Sequence, residues 1–412
     1  MTIFPRDKVI NMRNTAVRRR EQLEPRQLPR PEHVAGSLAK FGIGTIDQTL
    51  FLVVVILVLF GVMMVFSASY VVTGRSARHN FDTFFFLRRH GAVALLGFVI
   101  MNVMANVNYR YLRRFTLPLY LTSLGLLTFA FLFGPTIGGA RRWIPIPIFG
   151  QFQPSEIAKI ALILVLARVI SRNKNILDKW PGFLFCGAIV GIMAVFVGVG
   201  NLSTAIIVAI IGGGMIFMAS KHILRFVVAG VAAAGGMIGY LYFMAFHATG
   251  AHFRGGRFLA WLDPFSDMEG YGFQIVQSLY AIASGGLFGL GIGQSRQKTF
   301  LPEVHNDVIF SVIAEELGFV GAGIILLLFG ILIWRGLRIA MNATDSFGAL
   351  LAVGIVLMIA SQVIINVAVV TNSIPNTGIP MPFISYGGTA LIVSMGCMGI
   401  LLNISRYSRV DG

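Results

Sequence analysis

Runs of apolar residues, separated by short polar connections, dominate the chain from about residue 46 onwards. A helix needs about 20 predominantly apolar residues to cross the hydrocarbon core of a bilayer. Each run therefore predicts a membrane-spanning helix. The predicted spans lie near residues 46–68, 90–108, 117–134, 156–170, 182–200, 202–219, 222–246, 308–335, 347–371 and 385–404. The predicted fold class is an all-α polytopic membrane protein with about ten transmembrane helices.

The composition agrees with this fold class. Charged residues make up 12% of the chain and hydrophobic residues 56%, whereas a soluble domain carries about 25% charged residues. A net charge of +16 would also suit a nucleic-acid-binding protein. In a membrane protein it is typical of Lys and Arg in cytoplasmic loops beside anionic lipid, so we expect no nucleic-acid partner. Cys186 and Cys397 both lie inside apolar runs and predict no disulfide.

Basic residues concentrate in alternate loops, which predicts the orientation of the spans. The basic loops are 110–114, 168–179, 221–225, 335–338 and 406–409, and they share their side with the N-terminal tail. We therefore predict that both termini are cytoplasmic. The predicted organisation is a basic flexible tail over 1–45, a membrane domain over 46–405 and a cytoplasmic C-terminus over 406–412.

The connection between the seventh and eighth spans, 247–307, is much longer than the other loops. Its centre, Phe273–Ile292, is apolar but contains five glycines within or just beyond it, at Gly285, Gly286, Gly289, Gly291 and Gly293. A full span here would place the basic C-terminus outside. The pattern therefore favours a re-entrant or interfacial segment that lies over the helix bundle.

Acidic residues in or beside an apolar run are costly, so they are functional candidates. Glu303, His305 and Asp307 precede the eighth run, and Glu315 and Glu316 lie within it. Asp307 has two interpretations: it caps the N-terminus of this helix, or it accepts a proton or holds a divalent cation. Glu315 and Glu316 are either a protonated or hydrogen-bonded structural pair or a proton-linked functional pair.

Three further segments carry candidate ligand-binding residues. In the loop 138–159, Arg142 offers a planar donor fork to phosphate oxygens, beside Trp143 and the pair Glu156 and Lys159. The alternative is an interfacial Trp/Arg belt with a Glu–Lys pair on one helix face.

Arg257 and Lys298, in the long loop, could bind an anionic group or lipid headgroups. The last external loop, 371–388, contains three prolines and three glycines, which exclude a regular helix. We expect it to fold into the mouth of the bundle near Asp307. Ser385 in this loop either donates a hydrogen bond to a ligand or caps the tenth span.

These motifs together resemble a known family. The segments Gly138–Lys159, Trp261–Glu316 and Pro375–Gly388 are similar to the signatures of the shape, elongation, division and sporulation (SEDS) proteins. The resemblance covers essentially all of residues 46–405. Within the family, Gly291–Lys298 and the basic tail are more similar to the division branch, or its sporulation relatives, than to the elongation branch.

The resemblance implies a peptidoglycan glycosyltransferase that polymerises lipid II outside the cytoplasmic membrane, with Asp307 as the essential acidic residue. Asn306 and Val308 depart from the usual H-T-D-F-I-F motif, and Asn201 replaces an Asp that is common at the start of the sixth span. Asp307 would act as general base, directly or through a bound divalent cation, Mg²⁺ or Mn²⁺. The other predicted substrate contacts are Arg142, Trp143, Lys159, Arg257, Lys298, Glu303, His305 and Ser385.

The family also implies partners and a location. The expected partners are lipid II and undecaprenyl-linked glycan, a class B penicillin-binding protein that acts as transpeptidase, and other division proteins of the membrane. The expected location is the bacterial cytoplasmic membrane at the division septum. Two other functions stay open at this point: a transporter that flips lipid II, and a noncatalytic division scaffold.

Overall fold

The computed structural model describes residues 45–74, 80–137, 140–146, 150–173, 175–228, 252–301 and 304–408, with four isolated positions between 230 and 239. Thr45–Gly412 forms one compact unit. Several predictions lie outside the described residues: the tail up to residue 44, most of the seventh apolar run, Glu303, and the side chain of Arg257.

Helices make up most of the described chain, as predicted. They are α1 Gln48–Gly74, α2 Phe85–Asn106, α3 Leu112–Phe133, α4 Pro154–Arg172, α5 Trp180–Gly200, α6 Leu202–Ala219, α7 His252–Leu262, α8 Phe273–Gly285, α9 Ile309–Met341, α10 Ser346–Val370 and α11 Gly388–Arg406. Within the described residues, eight helices are long and apolar enough to cross a membrane: α1, α2, α3, α5, α6, α9, α10 and α11. The polytopic all-α fold class is confirmed.

Helix α4 differs from these eight because it carries several charges, yet it occupies the middle of the bundle. Its residues are almost all buried from Pro154 to Ala167, and it packs against α3, α6 and α10. Pro154 occupies the first helical turn and Glu156 follows it there, a favourable arrangement at the positive end of the helix dipole. The surrounding helices screen Glu156 and Lys159 from lipid.

Helices α10 and α11 also lie inside the bundle, whereas α2 and α3 lie at its edge. The apolar windows of α10 and α11 are each 72% buried, and those of α2 and α3 are each 22% buried. Large apolar side chains such as Leu95 and Phe115 are exposed on the edge helices, where they can face lipid tails.

The first and last helices meet at one end of the bundle. The amide of Asp47 donates to Ser405 Oγ at 3.1 Å, and Arg335 at the far part of α9 forms an ion pair with Asp47 at 2.7 Å. Tyr109, between α2 and α3, donates its amide to Asn403 Oδ1 at 2.9 Å. We call this the basic end. Asp307 and the long loop lie at the opposite end.

The structure corrects the prediction of one continuous eighth span over 308–335. Helix α9 is interrupted at Gly318, which has φ 70° and ψ −172°. The loop after α8 fills the interruption: Leu290 and Gly291 donate their amides to the carbonyls of Glu315 and Glu316 at 3.0 and 2.9 Å. In return, Phe319 and Val320 donate to Gly286 and Leu287 at 2.9 and 3.1 Å.

Glycine is required at this interruption for two reasons. A Cβ atom at Gly318 would lie 2.4 Å from the Gly289 amide nitrogen, and one at Gly289 would lie 2.2 Å from the Glu316 carbonyl oxygen. Both residues also have positive φ angles, which side chains rarely tolerate. Helix α8 itself has 13 residues, a length of about 20 Å, too short to cross a bilayer.

Two short hairpins lie in the loop before α4, and the sequence did not predict them. Strand β1 Thr136–Ile137 pairs with β2 Ala140–Arg141, and β3 Ile144–Ile146 pairs with β4 Gly150–Phe152. Both pairs are antiparallel. They give a defined shape to the segment that carries Arg142 and Trp143.

Candidate functional site

Asp307 lies just before α9 but does not cap it. The residue at the cap position is Val308, and no side-chain hydrogen bond caps the helix there. The carboxylate instead faces α8, where Gln274 Nε2 lies 3.4 Å from each of its two oxygens. Gly378 of the last external loop also lies beside it, since a Cβ there would be 3.6 Å from Asp307 Oδ2. The cap position of α9 therefore belongs to Val308 and not to Asp307.

Two asparagines hold the groups around this carboxylate: one binds the backbone of Asp307, and the other binds the side chain of Gln274. Asn366 is 1% exposed, and its Nδ2 donates to the carbonyls of Asp307 at 2.7 Å and Ile379 at 2.8 Å. Asn376 donates to Gln274 Oε1 at 2.9 Å and accepts from the Gly378 amide at 3.2 Å. Asp307, α8, α10 and the last loop are thus joined by one polar network, as the predicted position of that loop requires.

An aromatic group borders the network on the other side of Asp307. The His305 ring lies 4.2 Å from the Phe86 ring and 5.3 Å from the Tyr386 ring, between centroids. The Tyr386 amide also donates to the His305 carbonyl at 2.8 Å. Burial raises the pKa of the Tyr386 hydroxyl, and the nearby Arg89 charge opposes that shift. His305 is held by ring contacts on two elements.

Ser385 does not cap the last helix, which was one of its two predicted roles. It is buried, and its Oγ accepts a hydrogen bond from the Met381 amide at 2.7 Å. Its own amide donates to the Met381 carbonyl at 3.0 Å. The cap position of α11 is Gly387. Ser385 therefore closes a tight turn in the last loop, and its predicted contact with a ligand stays a prediction.

The hairpin loop before α4 is attached to this region through α11. Thr389 Oγ1 donates to the Gln151 carbonyl at 3.3 Å and accepts from the Gln153 amide at 3.4 Å. Arg142 and Trp143 are half-buried. Arg142 lies against the end of α5, because a Cβ at Gly200 would be 3.6 Å from Arg142 Cβ. Arg142 is thus placed at the Asp307 end of the bundle.

Glu156 and Lys159 form a buried ion pair on α4. Lys159 Nζ lies 2.9 Å from Glu156 Oε2, and the two side chains are 1% and 5% exposed. This geometry matches the predicted pairing on one helix face. The Lys159 ammonium is enclosed in the bundle, so its predicted contact with substrate stays a prediction.

Glu315 and Glu316 belong to a second enclosed cluster that includes Lys298. Glu316 accepts from Ser67 Oγ at 2.6 and 2.8 Å, and Lys298 Nζ lies 3.4 Å from Glu316 Oε1. Glu315 accepts from Ser295 Oγ and from the Arg296 amide at 2.5 and 2.9 Å. The ammonium of Lys298 also donates to the Gly293 carbonyl at 2.5 Å.

This cluster explains how charged groups persist inside the bundle. Both glutamates are 0% exposed and Lys298 is 2% exposed. Each carboxylate is satisfied by hydroxyl or amide donors, as buried charges require. The cluster joins α1, the loop 293–298 and the first part of α9, so its members have a structural role that the sequence left open.

The described residues contain no group of three or more His, Cys, Asp or Glu side chains that could hold a metal ion. Asp307 alone offers one carboxylate beside amide groups. Mg²⁺ is commonly bound through one or two carboxylates together with substrate phosphates and water. A cation at Asp307 would therefore need further oxygen ligands from water or a bound phosphate.

Sequence reasoning missed Gln274, Asn366 and Asn376. Asn366 had a usable signal, since it is an amide side chain inside an apolar run, where unpartnered polar groups are costly. Gln274 and Asn376 had none, because they lie in loops or short helices where polar residues are ordinary. Only the fold brings them to Asp307.

The whole helical unit matches one family. The sequence model of the FtsW, RodA and SpoVE family, described as "Cell cycle protein", matches residues 47–410. The chain belongs to this FtsW/RodA/SpoVE family. The resemblance to the SEDS proteins is therefore confirmed.

Relatives in the FtsW/RodA/SpoVE family align over nearly their full lengths. Stage V sporulation protein E of Bacillus subtilis is 41% identical over 371 residues, covering 88% of this chain and 98% of the relative. A probable peptidoglycan glycosyltransferase FtsW of Geobacter sp. is 40% identical over 371 residues, covering 88% and 97%. Peptidoglycan glycosyltransferase MrdB of Escherichia coli is 36% identical over 373 residues, covering 89% of this chain and 95% of the relative. The division or sporulation branch therefore stays a prediction.

A solved structure supports the family fold. A chain from a peptidoglycan synthase complex, described as coordinating polymerization and crosslinking, is 28% identical with a TM-score of 0.71. The match covers 89% of this chain and 99% of that chain. The arrangement of helices described above is therefore the FtsW/RodA/SpoVE fold.

Proposed function

We propose that this protein is a peptidoglycan glycosyltransferase that polymerises lipid II into glycan strands at the outer face of the cytoplasmic membrane during septal cell-wall synthesis. Two observations outside the chain support this function: a relative named as a probable peptidoglycan glycosyltransferase and a structural neighbour from a peptidoglycan synthase complex. Within the chain, the position of Asp307 supports it best. One carboxylate stands at the mouth of the bundle, where Gln274 of α8 donates to it and Asn366 of α10 donates to the backbone carbonyl of the same residue.

Asp307 acts as the general base in this proposal. A sugar hydroxyl is a weak nucleophile at neutral pH, so a base must accept its proton as the bond to the donor sugar forms. The 4-hydroxyl of the acceptor lipid II approaches Asp307, which takes the proton. The growing chain is the donor, and its lipid pyrophosphate leaves. Gln274 orients the carboxylate, and Asn366 holds the backbone that carries it.

Positive charge near the site stabilises the departing pyrophosphate. Arg142 is the half-exposed candidate, on the loop that α11 joins to the site. Lys159 and Lys298 are paired with carboxylates and enclosed, so they support the site chiefly by fixing α4 and the loop 293–298. Where a divalent cation binds, Asp307 would hold it, and it would neutralise the pyrophosphate charge.

The orientation follows from the two ends of the bundle. The basic end carries Arg110, Arg113, Arg168, Arg225, Arg335 and Arg406, and we place it at the cytoplasm by the positive-inside rule. Asp307 then faces the outside, where lipid II and undecaprenyl-linked glycan are used. The proposed partners are a class B penicillin-binding protein and other division proteins of the membrane.

The test is lipid II polymerisation by the full chain together with its class B penicillin-binding protein. Asp307→Asn keeps the shape of the side chain and removes its basicity, so polymer should no longer form. Normal polymer from a folded Asp307→Asn protein would overturn the assignment.

A lipid II transporter is the competing function, because interrupted helices and buried carboxylates such as Glu315 also occur in transporters. Labelled lipid II in proteoliposomes separates the two functions. Translocation without polymer would favour the transporter, and polymer that depends on Asp307 would favour the glycosyltransferase.

A further inference from the structure

A cavity of about 590 Å³ opens at the basic end, far from Asp307, and the proposed glycosyl transfer makes no use of it. It lies between the first turn of α3, the last turn of α4 and the first turn of α10. Its volume falls within the range of about 300–1,000 Å³ that is usual for small-molecule sites. The lining residues are Arg113, Arg114, Arg168, Ser171, Arg172, Thr344, Asp345, Ser346 and Phe347.

The lining is strongly positive. Four arginines face one aspartate, so its net charge is +3. The carboxylate of Asp345 is already occupied: it accepts from the Tyr109 hydroxyl at 2.9 Å and the Gly348 amide at 2.8 Å, and it pairs with Arg113 and Arg110. The positive charge of the cavity is therefore not neutralised by its own acidic residue.

Two of the arginines are held in place by the bundle. Arg168 Nη1 donates to Thr116 Oγ1 at 2.8 Å and to the Arg113 carbonyl at 2.9 Å, and Thr116 is 1% exposed. The Arg113 guanidinium lies 4.7 Å from the centroid of the buried Phe347 ring. Such orientation before binding lowers the entropy cost of capturing a ligand.

The other two arginines are available. Arg114 and Arg172 are exposed, and neither has a hydrogen-bond or ion-pair partner among the residues that the structure describes. The Nε atom of Arg113 is buried and likewise lacks an acceptor within this part of the chain. Unused donor forks beside oriented ones suit an anion with several oxygens.

The dipole of α3 adds to the positive electrostatic character of the cavity. Arg113 and Arg114 lie in the first turn of α3, which has no acidic residue, and a cation there opposes the positive end of the dipole. The N-terminus of α10 at the same cavity is already compensated, because Asp345 caps it and accepts from the Gly348 amide. An anion in the cavity would therefore relieve the repulsion at the N-terminus of α3.

We propose that this cavity binds a phosphate ester, with the anionic headgroup of a membrane phospholipid as its occupant. The phosphate is held by Arg114 and Arg172, against the oriented guanidinium groups of Arg113 and Arg168. Ser171, Thr344 and Ser346 supply hydroxyl groups to the polar part of the headgroup. The basic end is the place where anionic headgroups meet the bundle.

The test uses the full chain, purified in a neutral detergent and titrated with short-chain phosphatidylglycerol, with binding read by native mass spectrometry. Arg114→Gln combined with Arg172→Gln removes the two available charges. Because neither has a partner in the described protein, folding should be unaffected, and the thermal unfolding midpoint checks this. The matched control is Lys221→Gln with Arg338→Gln, which removes two exposed charges at the same end but outside the cavity.

The cavity variant should raise the dissociation constant for phosphatidylglycerol by about tenfold or more, since a charge-assisted contact contributes at least that factor. The control should change it less than about twofold. Phosphatidylcholine should bind the native chain weakly. Equal losses in the two variants, or equal binding of both lipids, would show a diffuse basic surface and overturn the proposal.

A second arm separates the two sources of the phosphate ester, with glycerol 3-phosphate as competitor. If it displaces phosphatidylglycerol at a similar concentration, the phosphate group alone is recognised, and a soluble phosphate ester can occupy the cavity. If it does not, the bound molecule must be a lipid in the membrane. Both results depend on the loss seen in the cavity variant, and the absence of saturable phosphatidylglycerol binding to the native chain would overturn the proposal outright.

Discussion

Gln274 places its side-chain nitrogen 3.4 Å from both carboxylate oxygens of Asp307, although 33 residues separate them in the chain. The same amide group accepts a hydrogen bond from Asn376 at 2.9 Å. Its nitrogen is thereby directed at the carboxylate, and its oxygen is turned away. The carboxylate thus faces the donor nitrogen of the amide and not its oxygen.

Asp307→Asn should abolish lipid II polymerisation, with a fall of about 10²–10⁴-fold, the range for loss of a general base. The measurement is the rate of glycan formation by the full chain with its penicillin-binding protein. Asp267→Asn is the matched control, because that aspartate closes a turn by accepting the Tyr271 amide at 2.8 Å. Comparable losses in both variants would remove Asp307 from the mechanism.

Gln274→Leu should lower the turnover rate by about tenfold while the apparent KM changes little, since the residue orients the base rather than binding substrate. Gln274→Glu should be worse although it has the same shape, because it sets a second carboxylate against Asp307. Gln277→Leu, on the same helix, is the control and should retain activity. If Gln274→Glu were fully active, the orienting role would be wrong.

Lys298→Met should destabilise the protein by about 3–5 kcal/mol, because it leaves the buried carboxylate of Glu316 without its cation. Adding Glu316→Gln should recover much of that loss. Thermal unfolding in detergent measures both. The comparison is Arg88→Met, whose ion pair with Asp82 is largely exposed and should contribute less than about 1 kcal/mol. No recovery in the double variant would mean that the pair is not coupled.

Gly318→Ala should destabilise the protein by at least about 2 kcal/mol, because the positive φ angle and the nearby Gly289 amide both reject a side chain. Gly323→Ala lies on the same helix, where a Cβ would meet nothing within 4 Å. That control should be neutral or slightly stabilising. Equal unfolding midpoints for the two variants would show that α9 tolerates a regular turn at residue 318.

The apolar pattern predicted most of the fold, because a membrane span can be recognised from the length and hydropathy of its apolar run. The sequence also identified Asp307 as a candidate, because this residue precedes the eighth apolar run and lies in a motif that resembles one of the family. It failed at Gly318, because one glycine in an apolar run does not reveal that a distant loop will complete its hydrogen bonds. The ion pair of Lys298 with Glu316 was missed for a similar reason: the pairing depends on how a loop folds back, and composition carries no such information.

The predicted site residues divide according to their surroundings. His305 and Asp307 share the mouth of the bundle, while Lys159 and Lys298 are enclosed with carboxylates. The local sequence around a lysine does not predict this burial, because an exposed lysine can have the same neighbours in the chain. The roles of these residues in substrate binding, the identity of any cation and the septal location stay predictions.

Helix α8 and the residues just after it contact the chain immediately before and immediately after the first part of α9. Gln274 meets Asp307 near the start, and Gly286 and Leu287 meet Phe319 and Val320 just past the finish. The nine residues Ile309–Leu317 therefore form a short strut that is held at both ends by α8 and the residues after it. Gly318 separates this strut from the rest of α9. Four backbone hydrogen bonds at that joint tie the strut to the segment that follows α8, so the base and its donor are mounted on a single support.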